Sequence, residues 1–127
     1  MAEITRIYYN KLVRDHIPDK IKATGEQCGV RPVTDEQEFQ QELMKKIKEE
    51  ATALAIVRTK EQFLSEYVDL MVVLQTLIEQ LGITSEELEV AREENLRKKG
   101  GYKHRHFLVW SEDCGYMSNE SVQGISR

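Results

Sequence analysis

Cysteine is scarce in this chain: only Cys28 and Cys114 occur, far apart and in no C-x-x-C pair. They read as two free thiols in a reducing cytosol. Basic residues have no surplus either, since 18 Lys and Arg stand against 22 Asp and Glu, for a net charge of −4. A general nucleic-acid binder normally shows a basic face, so no nucleic-acid partner is expected. Small anionic ligands stay within reach, because local basic clusters matter more for them than the total. No run approaches the roughly 20 apolar residues of a membrane span, and no N-terminal apolar run resembles a signal peptide. The expectation is a cytoplasmic protein with no membrane partner. Internal repeats, low-complexity tracts, an EF-hand loop and a zinc-type Cys/His cluster are missing as well.

What is present is ordinary globular material: 127 residues, 40% hydrophobic and 31% charged, enough for one domain with a real core. Pro18 suits the first turn of a short helix reaching about Ala23, with Gly25 to stop it. Thr34 with Gln37, Thr59 with Gln62 and Thr84 with Glu87 each form a capping-box pattern. They predict helices from about Asp35 to Val57, from Lys60 to Leu81 before Gly82, and from Ser85 to Lys99 before Gly100-Gly101. Arg6 to Tyr9 and Tyr102 to Trp110 read as extended, and could pair as a small two-stranded ribbon joining the termini. The fold class expected is all-α, a helical bundle over residues 1–110. Residues 111–127, rich in serine, glycine and acids, read as a flexible C-terminal tail.

Three acids stand out against apolar surroundings. On a helical wheel with Phe39 at the origin, Leu43, Ile47, Leu54 and Val57 fall within an arc of roughly 80°. Glu50 lands inside that arc, at about 20°, whereas Glu49 falls near 280° and outside it. A core-facing glutamate needs compensation, which favours a metal; the competing readings are an ion pair with a buried Lys or Arg, or a helix end that bends it into water. Glu66 and Asp69 lie three residues apart on the next helix, about 60° apart in projection, and can reach a common ion. Gln62, Ser65, Thr76 and Gln80 fall on the same side, so a merely solvated stripe is the competing reading. Carboxylate oxygens suit Mg²⁺, which takes a few carboxylates and completes its shell with water and phosphate. Lys11 and Arg14, and the run Arg97-Lys98-Lys99, offer cations for phosphates. Basic residues ending a helix also complement its dipole, which alone accounts for Lys99. His104 and His106 would share one strand face and could bind metal, but a solvated ribbon beside the basic patch is the favoured reading.

Glu66-Tyr67-Val68-Asp69 matches the E-x-x-D half of a paired motif, and Glu49-Glu50-Ala51-Thr52-Ala53 partly matches its E-x-x-E half. With the segments YNKLVRDHIP and RKKGGYKHRHFL, these residues resemble the all-α nucleoside triphosphate pyrophosphohydrolases, the MazG and phosphoribosyl-ATP pyrophosphohydrolase group. The resemblance spans about Tyr8 to Leu108. It implies a MazG-like helical bundle associating through its long helices as a homodimer or homotetramer. It implies Mg²⁺ as cofactor, a nucleotide as substrate, and cleavage of a nucleoside triphosphate or related nucleotide to the monophosphate and pyrophosphate. Carried over residue by residue, Glu50, Glu66 and Asp69 are the catalytic ligands, and Glu49 is a further candidate metal ligand that could lean in. Asn95 and Lys98, in Asn95-Leu96-Arg97-Lys98, join Lys11 and Arg14 as substrate-binding candidates. The chain departs from the motif at Ala53, which occupies the place of the second glutamate. That departure keeps a second reading open: a weak or inactive nucleotide-binding or interaction module retaining the fold.

Overall fold

The computed structural model describes residues 5–126, which hold four helices and no strand. They are α1 (Ile17–Ala23), α2 (Glu36–Ala55), α3 (Lys60–Gln80) and α4 (Ser85–Lys99). The chain divides into two compact units, 1–88 and 89–127, with the division inside α4.

Local capping chemistry sets the helix boundaries of the first unit. Thr59 Oγ1 accepts from the Gln62 N–H at 3.1 Å and starts α3. Thr84 and Glu87 form the full reciprocal box, with Thr84 Oγ1 accepting from the Glu87 N–H at 3.1 Å. Glu87 Oε2 accepts in turn from the Thr84 N–H at 3.2 Å. The start of α2 differs from the sequence expectation: Asp35, not Thr34, is the N-cap, and its carboxylate accepts from the Gln37 N–H at 3.1 Å. Aspartate competes well with threonine for this position, and its charge also favours the positive end of the helix dipole. At the end of α3, Gly82 takes φ +68. The Ile83 N–H reaches the Ile78 carbonyl and the Gly82 N–H reaches that of Glu79, both at 3.1 Å. This double closure needs a left-handed residue, which glycine adopts without a Cβ penalty.

Helices α2 and α3 pack as a hairpin. The chain reverses over residues 56–59, and Gln80 near the end of α3 donates to Glu36 at the start of α2, so the two run antiparallel. Leu43, Val73 and Leu77 are the buried core, with exposures of 4, 5 and 8%. Leu12, Phe39 and Ile47 pack around them. Each fully buried aliphatic side chain contributes about 1.5–3 kcal/mol, so this core is small. Much of the apolar girth of α3 lies outside it: Phe63, Leu64, Tyr67, Val68, Met71 and Leu74 are all exposed.

The expected ribbon does not form. Neither the Arg6–Tyr9 stretch nor the 102–110 segment enters a β-ladder. In the second unit the chain turns at Tyr102, where the Arg105 N–H bonds the Tyr102 carbonyl at 3.0 Å and Arg105 takes φ +56. A left-handed residue breaks the alternation a strand requires. Beyond the stretch Arg6–Tyr9, Asn10 bends likewise, with φ +48. The β propensity of these residues is real, but propensity without a paired neighbour makes no strand. Residues 111–126 contain no helix or strand.

Candidate metal centre

Glu50 on α2 and Glu66 and Asp69 on α3 bring one carboxylate oxygen each to within 4.8 Å of the others. The α2–α3 hairpin produces this meeting. On α3, Glu66 and Asp69 continue the half-buried stripe that holds Val73 and Leu77, so they look toward α2 rather than along a solvated face. On α2, Glu50 follows Leu43 and Ile47 down the opposing stripe, and all three acids are half-buried. Thr76, on the same side of α3, satisfies its hydroxyl locally by donating to the Val72 carbonyl at 2.8 Å.

Three carboxylates this close repel one another. At about 4.8 Å and an effective dielectric of about 20, each pair costs roughly 3 kcal/mol, less where water screens it. Cations answer that repulsion. Lys46 Nζ lies 3.2 Å from Glu50 Oε1 and 3.2 Å from Glu49 Oε2. Arg14 Nη1 lies 3.5 Å from Asp69 Oδ1, and Lys11 Nζ lies 2.5 Å from Glu49 Oε1. Glu66 has no ion pair among the described residues. The hydrogen bond from Lys11 is the main cause holding the Glu49 carboxyl below its usual range; burial opposes it and Lys46 adds to it. Burial works against the Lys46 charge, yet hydrogen bonds to Glu49 and Glu50 outweigh it and raise its pKa.

Of the residues expected at the site, Glu50, Glu66 and Asp69 therefore meet, and Lys11 and Arg14 reach their surroundings. Leu12, between those two cations, packs against the core and anchors the segment. Glu49 is turned toward Lys11 and Lys46 and stands outside the group of three. Asn95 and Lys98 lie in the second unit on α4, where Lys98 pairs with Glu94 at 3.1 Å. His104 and His106 stack there with ring centroids 5.5 Å apart.

The donor set fits a hard divalent cation. Mg²⁺ bonds oxygen at about 2.0–2.1 Å in an octahedron, which places neighbouring ligand oxygens about 3 Å apart. Comparison with known protein families, curated proteins and solved structures finds no match.

Beside Glu66, a shallow cavity of about 400 Å³ opens at the turn between α2 and α3, lined by Ala53, Ile56, Val57, Arg58 and Gln62. Ala53, where the motif's second glutamate would stand, is part of that lining. Two neighbours of the acids escaped the sequence reading: Lys46, which touches Glu50, and Arg58, which lines the cavity beside Glu66. Lys46 was detectable, since it precedes Glu50 by one helical turn on the same stripe. Arg58 follows the end of α2 and carried no periodic signal, because a residue in a tight connection belongs to no helical face.

Proposed function

We propose that this protein is a Mg²⁺-dependent nucleotide pyrophosphohydrolase, cleaving a nucleoside triphosphate or related nucleotide to the monophosphate and pyrophosphate. The observation that carries the reading is the convergence of Glu50, Glu66 and Asp69 from two helices to within 4.8 Å. Their resemblance to the paired acid motif of the MazG-like enzymes supplies the reaction class. These three side chains would hold the ion; when bound, Mg²⁺ neutralises phosphate charge and polarises water for attack on phosphorus. Lys11 and Arg14 stand against the acids and orient an incoming phosphate by exchanging a carboxylate partner for a phosphate oxygen. Asn95 and Lys98, in the second unit, stay substrate-binding candidates through the sequence resemblance alone. The exposed apolar stripe of α3 supports assembly as a homodimer or homotetramer, in a cytoplasm that keeps Cys28 and Cys114 as free thiols.

Ala53 favours a second reading, a nucleotide-binding module without turnover, because one carboxylate fewer is available to compensate cations at the site. The two separate in one experiment, in which pyrophosphate release is followed across a panel of nucleotides with Mg²⁺. The enzyme reading expects release that is lost on chelation and in Glu50→Gln and Asp69→Asn, with helical content unchanged. Mg²⁺-dependent binding without release supports the module, and wild-type rates in both variants remove the acids from the mechanism.

A further inference from the structure

Lys46 is the least exposed of the paired cations whose side chains surround the acids: 14%, against 38% for Lys11 and 54% for Arg14. Lysine is seldom placed so deep unless it is paired. The pitch of α2 puts Glu49 three and Glu50 four residues after it, and the ammonium touches both at 3.2 Å. Its neighbour Lys45 differs completely, at 71% exposed and paired with Glu42. One positive charge therefore sits within the half-buried stripe, on an oxygen-bearing group of the triad.

We propose that Lys46 is a built-in counter-ion of the carboxylate triad, displaced from Glu50 onto Glu49 when a divalent cation enters. The proposal rests on reading the triad as a metal centre. An ammonium and a divalent cation repel, so they do not share Glu50 without cost. The exchange is inexpensive because Lys46 already contacts Glu49, and it gives up one of two carboxylates rather than its only partner. Without the ion, Lys46 relieves the repulsion among the acids and lets the hairpin fold with the site empty. Lys46 thus sets divalent affinity below what three carboxylates alone would give. Its charge stays nearby after displacement, suited to an anionic ligand arriving with the ion.

Mn²⁺ titration by calorimetry or paramagnetic resonance tests this on the full chain, using wild type, Lys46→Met, Lys46→Arg, Lys45→Met and Glu50→Gln. Lys46→Met is expected to bind Mn²⁺ about three- to tenfold more tightly, a modest share of the unscreened repulsion. It should also melt earlier than wild type without metal and gain more from Mn²⁺. Lys46→Arg and Lys45→Met are expected to stay near wild type. Should Lys46→Met fail to fold, Lys46→Gln takes its place with the same expectation. Unchanged or weaker Mn²⁺ binding in the neutral variant, with Glu50→Gln still abolishing it, overturns the counter-ion role and leaves the metal centre standing. An equal gain in Lys45→Met also overturns it, by showing a general field effect. No Mn²⁺ binding by wild type or Lys46→Met overturns the metal reading itself, and the proposal with it.

Discussion

Glu49 and Glu50 are chain neighbours with opposite fates, and the 100° step between helical residues separates them. Glu50 turns into the α2–α3 seam and meets Glu66 and Asp69, whereas Glu49 turns out to Lys11 and Lys46. The same geometry made Glu50 legible in the sequence as a polar residue inside an apolar arc. Its pairing with Lys46 was not equally legible, because periodicity locates a residue without naming its partner. A second residue-scale pair lies at the start of α2, where Arg31 donates twice to Glu38, at 2.9 and 3.0 Å. The hydrogen bond from Arg31 is the largest cause lowering the Glu38 pKa, with burial opposing it. A lowered carboxylate pKa stabilises the fold above the unfolded value, about 4.3, and that contribution fades as pH falls through the folded value. The melting-temperature gap between wild type and Arg31→Ala should therefore be largest above about pH 5 and close toward pH 3. A gap that widens in acid would contradict the assignment. Arg31 is exposed and Glu38 only partly covered, so the gap should be small.

At the scale of elements, capping chemistry made the helices legible. The third and fourth helices begin at Lys60 and Ser85, where the Thr59 and Thr84 boxes place them, because caps are local and need no knowledge of the fold. The ribbon failed for the converse reason: a strand is made by its partner, and aromatic and β-branched residues in Arg6–Tyr9 carry no information about one. The hairpin itself depends on few contacts. Leu77→Ala, in a site 8% exposed, is expected to cost about 2–5 kcal/mol in urea unfolding. Val90→Ala, at a position 62% exposed, should change stability by no more than about 0.5 kcal/mol. Similar losses from the two would mean that the seam between α2 and α3 is not the core.

On the scale of the whole molecule, the first unit exposes more of α3 than it buries. Leu64, Val68 and Met71 form a continuous stripe at helical spacing, and Phe63 stacks on Tyr67 at 5.8 Å beside it. Apolar stripes of this length on a protein surface are commonly covered. The proposed homo-oligomer would cover it, and sedimentation should report a dimer or tetramer that Val68→Glu converts to smaller species. A monomeric wild type would contradict that proposal while leaving the acids untouched.

The most direct measurement is a crystal structure of the protein with Mg²⁺ and a non-hydrolysable nucleoside triphosphate. One ion within about 2.1 Å of oxygens from Glu50, Glu66 and Asp69, with phosphate oxygens completing its shell, is the predicted result. Carboxylates splayed apart, with neither ion nor nucleotide between the two helices, would contradict it.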